Sequence, residues 1–185
     1  MLNQLDALRS KVISCVKCNL SKSRTNAVPG KGNPYAKILF IGEAPGRNED
    51  VKGEPFVGSA GKILFEALEY AGLSRDEVFI TNVVKCRPPN NRLPLQEEKD
   101  ACHEHLLKEL AIIRPKIICI LGNTAYESLL GGDFITKNRG KIIEKNGQVY
   151  FLTIHPAAAI YNPQLKSVLK DDMKILANAI AKLKQ

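Results

Sequence analysis

The sequence predicts an α/β protein, a three-layer α/β/α sandwich around a central, mainly parallel four-stranded sheet, in a single domain over residues 1–185. Three observations predict it. Four short apolar runs read as strands, at about Lys37–Gly42, Val78–Val84, Lys116–Gly122 and Val149–Ile154. Helical patterns separate them, and that alternation argues for parallel strands joined by crossovers. The runs are near-continuous in Ile, Leu and Val, as expected of a sheet covered by helices on both faces. At 185 residues a chain removes roughly 70% of its unfolded surface from water, so one core suffices without staples.

The elements follow in order. The N-terminal MLNQLDALRSKVISC has amphipathic spacing with acidic and basic residues, and lacks the apolar centre of a signal peptide. No apolar run reaches the ~18 residues of a membrane span, so an intracellular, cytoplasmic protein is expected, with no membrane partner. Ala60–Ala71 has helical spacing and stops at Gly72; Leu95–Ile113 is a second helix closed by Pro115, and Asn123–Leu130 a third. Thr136–Gln148 predicts a hairpin, because Lys145-Asn146-Gly147 is a turn signal between Ile142-Ile143 and Val149-Tyr150. The last helix, about Gln164–Leu183, puts Leu165, Val168, Leu169, Met173, Leu176 and Ile180 on one face.

The stretch from Gly42 to Gly61, GEAPGRNEDVKGEPFVGSAG, joins the first strand to a helix. In an open α/β sheet ligands bind beyond the carboxyl ends of the strands, so this long Gly- and Pro-punctuated connection marks a crevice. It holds Glu43, Glu49, Asp50 and Glu54 together with Phe56. Carboxylates repel phosphate and the lysine–hydroxyl ending of a P-loop is missing, so a nucleotide-phosphate cradle is not expected. Asp50 and Glu54 read as solvated loop carboxylates. The other strand ends carry Asn82, Gly122-Asn123 and His155-Pro156. A buried amide in an apolar strand needs partners, which singles out Asn82. His155 stands beside a proline and three alanines that leave room for a ligand. His103 and His105 read as helix-surface residues.

Lys and Arg number 27 against 19 Asp and Glu, giving +8 and a pI near 9.3, a balance that favours an anionic partner such as nucleic acid or a membrane surface. Five cysteines without a secretory signal point to metal or redox chemistry rather than disulfides. Cys15 and Cys18 form a CxxC, Cys86 and Cys102 flank the loop RPPNNRLPLQEEKDA, and Cys119 lies inside an apolar strand as ordinary core. The absence of Trp and the many Lys and Ile suit a thermophile.

GEAPGRNED with PFVGSAGKIL, then TNVVKCRPPNNRLP, then HPAAA, with CxxC near the start, resembles the iron-sulfur uracil-DNA glycosylases of family 4, from about Cys15 through the last helix. A second, longer iron-sulfur glycosylase family and the iron-sulfur domain of certain phage polymerases share part of the pattern. The resemblance implies a DNA repair enzyme, associated with the nucleoid, that flips uracil out of single- or double-stranded DNA and hydrolyses its N-glycosidic bond, releasing free uracil. It implies that Cys15, Cys18, Cys86 and Cys102 ligate a [4Fe-4S] cluster; a structural zinc is the rival, disfavoured because Cys86 and Cys102 are not a close pair. By motif position, Phe56 stacks on the base, Asn82 reads its edge, and His155 donates to O2 beside the backbone of Gly42, Glu43 and Ala44. Ala44 stands where other uracil glycosylases carry an acid or amide, which leaves the general base unassigned; Glu43, by its place beside the crevice, is the residue expected to stabilise the sugar cation or position water. Glu49 bears on base choice. Tyr161 or Ile160 is the expected wedge, and Lys17, Lys22, Arg24, Lys85, Arg87 and Arg92 are expected near DNA phosphates. Replication or repair proteins are further expected partners. The alternative is a non-catalytic iron-sulfur nucleic-acid-binding module; a cytosolic redox protein is a third reading.

Overall fold

The computed structural model describes residues 1–183. Its helices are α1 (Leu2–Ile13), α2 (Arg47–Lys52), α3 (Ser59–Tyr70), α4 (Gln96–Ile113), α5 (Asn123–Leu130), α6 (Ile135–Asn138), α7 (Ala158–Tyr161) and α8 (Leu165–Lys182). Its strands are β1 (Lys31–Gly32), β2 (Ile38–Gly42), β3 (Val78–Asn82), β4 (Ile117–Leu121), β5 (Ile142–Lys145) and β6 (Gln148–Thr153). They form one sheet in the order β1-β3-β2-β4-β6-β5. The four expected strands are its parallel centre: β3, β2, β4 and β6 pair in parallel, Ile38 opposite both Val78 and Ile117, and Ile117 opposite Val149.

The sheet has six strands rather than four, because an antiparallel strand is added at each edge. β5 is the outer arm of the expected hairpin, turned at Asn146 and Gly147, both with positive φ. β1 is two residues long and polar, so no period-2 pattern announces it; Gly32 pairs with Phe79 because its Cβ, if present, would lie 2.2 Å from the Val78 carbonyl oxygen.

Side-chain alternation along the parallel strands divides the core. Leu39, Ile41, Phe79, Ile118, Ile120 and Leu152 face one layer, with Leu8 and Val12 of α1, Leu106 and Ile113 of α4, and Ala125 and Tyr126 of α5. Ile38, Phe40, Ile80, Cys119, Leu121 and Phe151 face the other, with Leu64 and Leu68 of α3 and Leu169, Met173, Leu176 and Ile180 of α8. Every residue of β2, β3 and β4 is buried, the condition under which strands lose polar alternation. The predicted stripe of α8 is this packing face, and Cys119 is fully buried core.

The same face of α8 carries Asp172, which is fully buried. It accepts from Arg139 Nη2 at 2.5 Å, Arg139 Nε at 3.0 Å and Thr153 Oγ1 at 2.7 Å. Burial raises its carboxyl above the ordinary value while Thr153 and Arg139 hold it down. The cluster ties the loop before β5 to the last helix.

Candidate active site and cysteine cavity

β3 ends in register with β2, Asn82 opposite Gly42, and the chains then run on together: the N–H groups of Val83 and Val84 donate to the carbonyls of Gly42 and Glu43 at 2.9 and 3.2 Å. β3 therefore stops two residues before the predicted Val84. β6 leads directly to His155, and Gly122, after β4, packs so close that a Cβ there would lie 2.8 Å from His155 Cβ. The strand ends thus converge as expected.

Above them lies a cavity of about 520 Å³ lined by Glu43, Ala44, Glu49, Phe56, Asn82 and His155, with Ile160, Tyr161, Asn91 and Arg92 at its edge. Of the predicted crevice residues it leaves out Gly42, which lies behind the lining, and Gly122, Asn123 and Pro156 at the other strand ends. A Cβ on Gly42 would stand 2.5 Å from Asn82 Oδ1 and 2.8 Å from Phe56 Cζ, so only glycine leaves amide and ring in place. A second cavity, at the β1 edge and lined by Lys31, Gly32, Asn33 and Arg75, contains none of the residues singled out in the sequence.

Asn82 is 1% exposed and its Oδ1 has no hydrogen-bond partner among the described residues. Buried side-chain acceptors are normally satisfied, so this one is held open toward the cavity. Phe56 is buried at φ +54°, a left-handed conformation that disfavours a residue with a bulky side chain. Gly61 holds it there: a Cβ at 61 would fall 1.9 Å from the Phe56 carbonyl oxygen, so the first turn of α3 rests on that peptide. The Phe56 and His155 rings are 5.9 Å apart with planes tilted by 37°.

His155 Nδ1 accepts from the Ala157 N–H at 3.2 Å, which leaves the proton of the neutral ring on Nε2. Desolvation lowers its pKa to about 4, so the neutral ring is the form present at pH 7. Glu43 Oε2 accepts from Thr124 Oγ1 at 2.5 Å, and Glu49 Oε1 accepts from the Gly58 N–H at 2.7 Å. Glu49 thereby joins α2 to the loop that carries Phe56. Tyr161 is 89% exposed at the rim.

Several expectations are overturned. Asp50 is not a solvated loop carboxylate: it is buried and accepts from the Thr25 N–H at 2.9 Å and the Asn26 N–H at 3.3 Å. Glu54 is the surface residue expected, paired with Lys31 at 2.6 Å. Lys85 is not available to phosphate. Its side chain is 1% exposed, with Nζ 2.7 Å from Glu109 Oε2, 2.7 Å from the Asn82 carbonyl and 2.5 Å from Thr81 Oγ1. His105 is not on the helix surface but 5% exposed. Of the other basic residues, Lys17 pairs with Glu104, Arg24 is turned inward, Arg87 Nε donates to Asn91 Oδ1 at 2.7 Å, and Arg92 forks onto Glu98 at 2.6 and 2.9 Å.

All five cysteines are free thiols. Cys15, Cys18, Cys86 and Cys102, drawn from the segment after α1, the loop after β3 and the second turn of α4, line one cavity with Arg24 and His105. Cys86 Sγ accepts from Arg24 Nη1 at 3.0 Å and Cys102 Sγ from the Lys85 N–H at 3.2 Å. Burial raises the Cys102 thiol to about 11 and that of Cys86 above its ordinary value. Four thiols on one cavity, two already accepting N–H groups, form a donor set for a soft, multi-sulfur centre. Among the described residues, no three potential ligands converge on a point that suits a single metal ion.

This fold and its glycine-floored crevice define a member of the uracil DNA glycosylase superfamily, whose profile matches residues 29–182. Within it the chain belongs to the type-4 uracil-DNA glycosylases. It is 52% identical over 183 residues to the type-4 uracil-DNA glycosylase of Sulfurisphaera tokodaii, covering 94% of this chain and 83% of that one. It is 47% identical over 190 residues to that of Archaeoglobus fulgidus, covering 98% and 96%. It is also 33% identical over 162 residues to a DNA polymerase of Bacillus phage SP01, where the match covers 87% of this chain and 18% of the polymerase. No described helix is long and apolar enough to cross a membrane.

Proposed function

We propose that the chain is a monofunctional uracil-DNA glycosylase of DNA repair, which binds uracil-containing DNA, extrudes the deoxyuridine and hydrolyses its N-glycosidic bond to leave an abasic site. The observation that carries this reading is Asn82: a fully buried amide whose oxygen lacks a partner, set behind a glycine and beside an aromatic ring. An amide can accept from uracil N3–H and donate to O4, and a base can reach it only out of the stack. Phe56 covers one face of the ring. Glu49, holding the neighbouring loop, borders the position of the base and shapes which bases enter. Tyr161 and Ile160 at the rim fill the gap in the DNA, and the exposed Lys22 and Arg47 meet its phosphates.

As the C1′–N1 bond breaks, its electron pair passes to uracil and positive charge develops on the sugar. His155 Nε2–H donates to O2, aided by the N–H groups of the Gly42–Ala44 turn, where charge appears in a site screened from water. A neutral imidazole suffices, because a donor and not an acid is required. Glu43, steadied by Thr124, faces the sugar cation and positions the water whose oxygen bonds to C1′; the released proton leaves to solvent and uracil takes one up.

Cys15, Cys18, Cys86 and Cys102 hold a [4Fe-4S] cluster in this reading, as the four-thiol cavity supports. The cluster supplies a structural cross-link between α1, the loop after β3 and α4. The test is excision from a labelled oligonucleotide with one uracil, followed by alkali, for the native chain and for His155→Ala and Asn82→Ala. Uracil-dependent cleavage lost in both variants, with inhibition by free uracil, is expected. The similarity to a phage DNA polymerase favours a second reading, a non-catalytic nucleic-acid module working with replication or repair proteins. DNA binding without cleavage, and without response to uracil, would establish it.

A further inference from the structure

His105 stands three positions after Cys102 on α4, the spacing that places two side chains one turn apart on the same face. It lines the cavity of the four cysteines, is 5% exposed, and neither ring nitrogen has a hydrogen-bond partner. The other unpartnered buried side-chain atoms among the described residues, Asn82 Oδ1 and Ser128 Oγ, are not part of this cavity. A buried imidazole bears the desolvation penalty of both nitrogens unless something meets them, and none of the described residues does. The sulfurs nearby are already used as acceptors: Arg24 Nη1 donates to Cys86 Sγ and the Lys85 N–H to Cys102 Sγ.

We propose that His105 donates a ring N–H to a sulfur of the cluster held by Cys15, Cys18, Cys86 and Cys102, completing a donor set with Arg24 and Lys85. The proposal rests on the iron-sulfur reading above. Four thiolates already satisfy the irons, so His105 is a positioning residue for the centre and not a ligand. Hydrogen bonds to the sulfurs withdraw electron density and favour the reduced, more negative form, which raises the reduction potential. Arg24 contributes a fixed positive charge in the same direction, whereas His105 is the contributor a single neutral substitution can remove.

The test compares native protein with His105→Leu, which fills the volume without a donor, and His105→Gln, which keeps an N–H. Iron and labile sulfide are measured first. Zinc, or iron without sulfide, in the native protein would sink the cluster reading and not merely this step. With four irons retained, the one-electron midpoint of His105→Leu should move negative by about tenfold in the equilibrium constant, 59 mV, and that of His105→Gln should recover part of the shift. An unchanged midpoint in His105→Leu overturns the proposal. So does loss of one iron with a three-iron signal, which would make His105 a ligand.

If His105→Leu fails to assemble, the reduced cluster is studied in protein carrying ¹⁵N-histidine and His103→Gln. A weak nitrogen coupling carried through a hydrogen bond is expected. No coupling, or the strong coupling of a directly bound nitrogen, refutes the assignment.

Discussion

Replacing Lys85 with Met while leaving Glu109 in place is expected to destabilise the protein strongly. The two side chains are 1% and 3% exposed, and the ammonium holds three acceptors, Glu109 Oε2, the Asn82 carbonyl and Thr81 Oγ1. Methionine matches the length of the lysine stem, so packing changes little. What changes is electrostatic: a carboxylate is left buried and uncompensated, and breaking such a pair from one side costs about 3–5 kcal/mol. For a domain of this size each kcal/mol moves the melting temperature by ~2–4 °C, so the variant should melt roughly 6–20 °C lower.

The informative comparison is Lys85→Met/Glu109→Gln. Glu109 Oε1 also accepts from the Gly30 N–H at 2.8 Å, and a glutamine carbonyl keeps that bond while removing the charge. The double variant should recover about 2 kcal/mol of the loss, because charge neutralisation removes the larger penalty and leaves only unpaired polar groups of ~1–3 kcal/mol each. The assay is thermal unfolding of all variants at one scan rate and with the same metal content, because any tightly bound group makes the transition other than two-state. A double variant that melts no higher than Lys85→Met would refute the ion-pair account and assign the loss to packing.

Other outcomes are equally specific. Gly42→Ala places a methyl 2.5 Å from Asn82 Oδ1 and 2.8 Å from Phe56 Cζ; overpacking of this kind costs about 1–3 kcal/mol, and excision should fall roughly tenfold or more with loss of inhibition by free uracil, whereas unchanged inhibition would show that the base does not reach this floor. Glu43→Gln should slow single-turnover excision far more than it weakens DNA binding, with Thr124→Val giving a smaller slowing in the same direction; equal losses in rate and binding would remove Glu43 from the chemistry. The His155 pKa lies near 4, below its ordinary 6.5, because of desolvation. The native state therefore binds fewer protons than the unfolded chain between those values, and this contribution to stability is whole above about 6.5 and eroded as pH falls toward about 4. Excision should accordingly be flat down to roughly pH 5; a rate break between pH 6 and 7 that vanishes in His155→Gln would contradict a neutral donor.

The parallel centre of the sheet was legible because β2, β3, β4 and β6 are apolar runs set by burial, a local property that period and composition report directly. β1 was not: Lys31 and Gly32 form a strand only because β3 offers them a free edge. The boundary at Asn82 was missed by two residues for a related reason, since Val83 and Val84 stay buried while their N–H groups turn to the carbonyls of the β2 loop. Burial extends past the strand, and an apolar run measures burial.

The crevice was legible for the same topological reason that makes it a site. Strand ends are readable, and in a parallel sheet they converge, so Gly42, Asn82, Gly122 and His155 were placed together by fold class alone. What escaped was pairing between distant positions. Lys85 resembles any loop lysine until Glu109, on another element, is brought beside it, and Asp50 resembles any loop carboxylate until Thr25 and Asn26 present their N–H groups. His105 follows the polar pattern of α4, yet α1 and the cysteine loop fold over it. A charge inside an otherwise apolar helical face, as at Asp172 between Leu169 and Met173, was the available signal. Such a residue must find a partner or lose its charge, and the partner is fixed only by tertiary structure.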